Sequence, residues 1–143
     1  MKNNWLKICI IIIAFVGPFT TQILAQTGVD VIVNEGVQVN SLEMSALKDI
    51  LLGKTAYWPG GQAVVIMVLA EKTDPSIQET TGMSASQFKT HWQRLTFSGR
   101  GKQPKEADTA EKIAAMVSST KGGVALVPAG TALQGVKKIE IKK

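Results

Sequence analysis

The 143-residue chain has little of the side-chain chemistry that catalytic and metal sites need. It contains one cysteine, Cys9, and one histidine, His91, so it cannot build a multi-histidine metal site or a two-histidine catalytic pair. No serine or threonine stands in a recognisable pattern with a base and an orienting group, and no constellation of carboxylates is evident. We therefore expect a protein that is not an enzyme and that uses neither a cofactor nor a metal.

The first 25 residues have the pattern of a secretory signal peptide. Two lysines precede an apolar run over residues 8–16, and Ala25 supplies a small residue before the expected cut at Gln26. The run is shorter than the roughly 20 residues of a membrane span, and a retained N-terminal anchor is the alternative. Cys9 lies inside the run, where a lipoprotein signal would not place it. The sequence thus predicts an exported, periplasmic domain over residues 26–143 that has no cysteine.

The charge of that domain is mild. Residues 26–143 carry 14 basic and 11 acidic side chains, a net charge of +3. A weak positive charge suits an anionic ligand or surface, although ordinary solubility explains it as well. It does not indicate a nucleic acid as partner.

Strand and helix patterns alternate along residues 26–143. Apolar runs at 29–33, 63–69 and 124–127 predict strands, of which the second is buried on both faces, and the mixed segment 136–141 predicts an edge strand. Helices are predicted from about 43 to 52, from Ser84 with Gln87 as capping-box partner, and from Asp108 as N-cap. This alternation predicts one α/β domain with helices packed on a sheet.

Two stretches carry the most information: LKDILLGKTAYWPGG at residues 47–61 and HWQRLTFSGRGKQP at residues 91–104. Each reads as a helix stopped by glycine and followed by a turn. In this order, with Ser41-Leu42 before them and Gly122-Gly123 after them, they resemble the phosphate ABC transporter substrate-binding proteins, specifically short single-lobe members. The resemblance implies one lobe of a type II periplasmic-binding-protein-like fold, with a mixed sheet flanked by helices. It also implies a non-enzymatic role in transport, with phosphate or another oxyanion as ligand and a membrane permease as partner.

The resemblance places an oxyanion cradle after the central strand, at residues 70–78. There, Lys72 would supply charge, and Thr73 and Ser76 would supply hydroxyl donors at a helix start, where free N–H groups favour anions. In the family this loop usually contains glycine and arginine, which the segment lacks. The alternative to a solute-binding domain is an interaction module on the same lobe that docks on an envelope partner without holding a solute.

A second candidate oxyanion site is the loop Ser98, Gly99, Arg100 and Gly101. Backbone N–H groups made accessible by glycine form anion-binding nests, and Arg100 offers a forked donor. The alternative is a helix C-cap with solvated cations. Trp58 and Trp92 are interpreted as core residues, with a ligand platform as the alternative.

Overall fold

The strands form one mixed sheet in the computed structural model, which describes residues 28–70 and 75–143. The six strands are β1 (Val29–Asn34), β2 (Ser41–Glu43), β3 (Val65–Leu69), β4 (Lys105–Ala107), β5 (Gly123–Pro128) and β6 (Val136–Lys142). Their order across the sheet is β2-β6-β1-β5-β3-β4. Strand β3 runs parallel to β4 and β5, whereas β1 runs antiparallel to β5 and β6.

Helices cover both faces of this sheet, as the alternating pattern predicts. They are α1 (Met44–Leu51), α2 (Ser76–Thr81), α3 (Ala85–Phe97) and α4 (Ala110–Ser119). Side chains alternate between the faces along each strand. Ile66 and Val68 of β3 pack in the core that includes residues of α1, α2 and α3, while Met67 packs with residues of α4. The predicted α/β class with a mixed, helix-flanked sheet is confirmed.

The apolar run at 63–69 forms a buried strand, as predicted, although the strand begins at Val65. Four of its five residues are buried, and it lies between β5 and β4. Ala63 instead makes an isolated bridge with Tyr57 across the turn that contains Pro59 and Gly60. The turn prediction for that segment therefore agrees with the structure.

The prediction of an edge strand at 136–141 is wrong. Strand β6 pairs with β1 on one side and with β2 on the other, so β2 and β4 form the edges. At three residues, β2 is too short for its sequence to indicate a strand. The charged residues of β6 are accommodated because Lys138 lies 2.6 Å from Asp30, and Lys137 Nζ donates to the Val37 carbonyl.

The starts of α3 and α4 were predicted from the sequence, but the N-cap residue of α4 differs from the prediction. Ser84 and Gln87 form the expected capping box on α3, with each side chain accepting from the other's backbone N–H. On α4 the N-cap is Thr109, whose Oγ1 accepts from Lys112 N–H at 3.3 Å, and not Asp108. Asp108 lies one residue too early for that bond, and its carboxylate sits 3.6 Å from Lys112 Nζ.

Within residues 28–70 and 75–143, no helix has the length and apolar character needed to cross a bilayer. The predicted signal peptide lies outside the described residues and stays a prediction.

Candidate functional site

The carboxyl ends of β3, β4 and β5 meet at one edge of the sheet because these strands are parallel. Ligands of open α/β sheets bind outside the carboxyl ends of the strands. Here Ala70 follows β3 and donates its N–H to the Ala107 carbonyl at 2.9 Å, which ties the exits of β3 and β4 together. We call the region formed by Ala70, residues 75–76 and residues 107–109 the carboxyl edge.

Of the first predicted oxyanion site, Ser76 lies at this edge. Lys72 and Thr73 fall outside the described residues, so their part in a site stays a prediction. Ser76 is the first residue of α2 and is only 2% exposed, so it is set within the fold and not on an open surface. Helix α2 has six residues and ends at Gly82, which takes a left-handed conformation with φ of 77°.

The second predicted group, Ser98 to Gly101, forms a helix C-cap. Gly99 has φ of 71°, its N–H donates to the Thr96 carbonyl at 3.0 Å, and Arg100 N–H donates to the Leu95 carbonyl at 2.9 Å. This pair of bonds is a Schellman motif. The N–H groups of Gly99 and Arg100 are therefore engaged with the end of α3. An anion at this loop would instead meet the Arg100 side chain, whose Nε lies 3.4 Å from Ser98 Oγ.

The two groups lie at opposite ends of the β3–β4 pair. The register places Met67 beside Lys105 and Leu69 beside Ala107. Residues 98–104 enter β4 at its amino end, whereas the chain that leads to Ser76 leaves β3 at its carboxyl end. The fold thus presents them as two separate candidate sites.

The start of helix α4 also reaches the carboxyl edge. Helix α4 begins directly after β4, so its first N–H groups lie where β3 ends. Its first turn carries Glu111, and Asp108 precedes its N-cap. Both carboxylates oppose an anion, and Lys112 already faces Asp108. No sequence signal identified this neighbour, because the parallel pairing of a three-residue strand is not readable from residue patterns.

Trp58 and Trp92 belong to the core, as interpreted from the sequence. Trp92 is 4% exposed, and its Nε1 donates to the Leu51 carbonyl at 3.1 Å. Its ring fills the space beside Gly53 and Gly101: a Cβ added at either glycine would lie 2.9 Å from a ring carbon. Trp58 is 3% exposed and donates to the Gly122 carbonyl at 2.9 Å. Both indoles are therefore enclosed by the core, where the Trp92 ring also lines a small, mainly apolar cavity.

Replacing Trp92 with phenylalanine is expected to lower the free energy of unfolding by about 1–3 kcal/mol, because the Leu51 carbonyl loses its donor in a buried place. Urea denaturation followed by circular dichroism measures the change. Gln93→Ala, on the exposed neighbour, is the matched control and should change stability by less than about 0.5 kcal/mol. Equal stability of the two variants would show that the indole bond contributes nothing.

Two cavities among the described residues are not lined by residues of the carboxyl edge. A cavity of about 30 Å³ lies between β3, α2 and α3 and is walled mainly by apolar side chains such as Val68, Phe88 and Pro104. A shallow open cleft of about 440 Å³ lies on the outer side of α3, where Ser86, Thr90, His91 and Arg94 are among the lining residues. The His91 Nε2 is 2.9 Å from the Leu52 carbonyl. Within residues 28–70 and 75–143, no group of three or more potential metal ligands occurs.

Comparison with known proteins gives a likeness of fold. No protein-family model matches the chain, and no curated protein matches it either. Among solved structures, the chain is similar to one from Clostridium perfringens that is assigned as a phosphate ABC transporter substrate-binding protein and holds bound phosphate. The TM-score is 0.62 at 17% identity, over 80% of this chain and 44% of that one.

Two further structures show the same likeness. An ABC-type phosphate transport receptor from Vibrio cholerae gives a TM-score of 0.55 at 17% identity, over 81% of this chain and 46% of that one. PstS from Borrelia burgdorferi gives 0.54 at 12% identity, over 80% and 47%. The fold is therefore that of part of these substrate-binding proteins, and the chain spans less than half the length of each.

Proposed function

We propose that this chain is an exported, non-enzymatic solute-binding domain whose ligand is phosphate or another oxyanion and whose role is linked to ABC-type transport. The observation that supports this most is the likeness of fold over 80% of the chain to a substrate-binding protein that holds phosphate. The ordered motifs at residues 47–61 and 91–104 support the same family. A periplasmic location follows from the predicted signal peptide, and a membrane permease would be the partner.

The ligand would bind at the carboxyl edge. Lys72 would supply the positive charge, and Thr73 and Ser76 would supply hydroxyl donors where the chain turns into α2. This assignment agrees with the general position of ligands at the carboxyl ends of parallel strands. The loop of Ser98, Gly99, Arg100 and Gly101 is the other candidate, with the Arg100 guanidinium as the anion contact.

Binding should be weak. The fold match covers less than half of each similar structure. The carboxylates of Asp108 and Glu111 at the same edge further oppose an anion. We expect a dissociation constant no tighter than about micromolar, which corresponds to about −8 kcal/mol.

Calorimetric titration at low salt with phosphate, and separately with sulfate, tests the proposal. We expect heat from at least one anion and a loss of affinity of about tenfold or more in Lys72→Ala, because a hydrogen bond to a charged group contributes about 1.5–3 kcal/mol. Arg100→Ala distinguishes the second candidate site. Lys121→Ala, an exposed lysine after α4, is the control for a general loss of charge.

If neither anion produces heat and Arg100→Ala changes nothing, the receptor function is excluded. The remaining function would then be the envelope interaction module. One observation favours that second candidate: residues 70–78 lack the glycine and the arginine that the family's cradle usually contains. Finding genes for a permease and an ATPase beside this one would favour the receptor, and finding surface-assembly genes there would favour the module.

A further inference from the structure

The positive charge of the domain is concentrated in one stretch of chain. Residues 84–105 contain five basic residues and no acidic residue: Lys89, Arg94, Arg100, Lys102 and Lys105. The rest of residues 26–143 holds nine basic and eleven acidic side chains. The net charge of +3 therefore comes entirely from α3 and the loop that follows it.

No carboxylate of residues 28–70 and 75–143 forms an ion pair with these five cations. The ion pairs found among the described residues join Lys54 to Asp49, Lys112 to Asp108 and Lys138 to Asp30, all outside this stretch. All five cations are exposed. Because nothing within the described residues pairs with them, their field extends into solvent and favours an anionic surface.

An exposed aromatic residue stands between these cations along the chain. Phe97, the last residue of α3, is 96% exposed. Helical spacing places it with Ser86, Thr90 and Arg94 on the outward stripe, opposite the buried Trp92. The following turn is open as well, since a Cβ added at Gly99 would meet nothing within 4 Å. We call Arg94, Phe97, Arg100 and Lys102 the basic face.

We propose that the basic face docks the protein on an anionic phospholipid surface, with Phe97 entering the headgroup region. Cations around an apolar side chain are the composition of a surface that lies on a membrane. An acidic protein surface is the alternative occupant, and a failure to bind anionic vesicles would favour it. The inference is independent of oxyanion binding at the carboxyl edge, since it uses the outer side of α3. It shares Arg100 with the second candidate oxyanion site, and for that reason the test below leaves Arg100 unchanged.

Co-sedimentation with vesicles tests this inference on the protein as recovered from the cell envelope. We expect binding to phosphatidylcholine vesicles that contain about one third phosphatidylglycerol, and much weaker binding to pure phosphatidylcholine. Each basic residue near such a surface strengthens binding about fivefold, so Arg94→Glu/Lys102→Glu should weaken it by about 25-fold or more. Higher salt should weaken the binding of the unaltered protein and hardly affect that variant.

Two matched controls define the result that would overturn the inference. Lys121→Glu/Lys142→Glu makes the same change in net charge outside the basic face, and it should retain most of the binding. Phe97→Ala should weaken binding to anionic vesicles about tenfold. Tyr57→Ala, which removes another exposed aromatic ring, should weaken it little. Equal binding to neutral and anionic vesicles, or equal losses in each variant and its control, would exclude docking through this face. All variants are exposed, so circular dichroism should show unchanged folding.

Discussion

Replacing Gly122 with alanine is expected to unfold the domain or lower its free energy of unfolding by more than about 3 kcal/mol. Gly122 has φ of 74°, and a Cβ there would lie 2.0 Å from the Ala63 carbonyl oxygen, which is backbone and cannot swing aside. The Gly122 carbonyl also accepts from Val65 N–H at 3.0 Å and from Trp58 Nε1 at 2.9 Å. A shift that relieves the clash would disturb both bonds at the point where β3 begins.

Gly130→Ala is the control for this prediction. Gly130 also has a positive φ, 83°, but a Cβ there would meet nothing within 4 Å. Gly130→Ala should lower the free energy of unfolding only by the cost of a left-handed alanine, about 1–2 kcal/mol. Thermal and urea unfolding of both variants measure the difference. Similar losses at the two positions would show that the contact with Ala63 does not restrain the native state.

The glycine at 122 illustrates what the sequence indicated and what it did not. The Gly122-Gly123 pair was recognised as the end of a helix and the start of an apolar strand, and both are present. That the turn also receives the Trp58 indole from 64 residues earlier was not predictable from local pattern. Residue patterns report periodicity and turns, and long-range approach of two backbones leaves no local signal.

The positions of the strands in the sheet were likewise predicted only in part. The continuously apolar segment that became β3 was predicted as buried on both faces, because only a strand covered by helices on both sides tolerates so many apolar residues in a row. The edge prediction for β6 failed because β2 and β4 have three residues each and little apolar character. Both short strands are fixed by pairing with longer neighbours and not by their own sequence.

The candidate site was less predictable than the fold. A Gly-containing loop after a helix is compatible with either an anion nest or a C-cap, and the choice depends on where the N–H groups of Gly99 and Arg100 point. The structure directs them to Thr96 and Leu95. The separation of this loop from Ser76 depends on the parallel pairing of β3 and β4. Neither fact follows from residue identity, whereas the outward positions of Phe97 and Arg94 can be read from helical spacing once Trp92 is placed inside.

Replacing Ile66 with aspartate should also prevent folding. Ile66 lies in β3, is 6% exposed, and packs in the core shared by α1, α2 and α3. An unpaired carboxylate there costs several kcal/mol, against a total stability of about 5–15 kcal/mol for a domain. We expect no cooperative urea transition by circular dichroism. Ile66→Val, which removes one methylene and keeps the strand preference, should lose only about 0.5–1.5 kcal/mol. An aspartate variant with a transition close to that of the valine variant would mean that this face of β3 is open to water, and that the helices do not cover it.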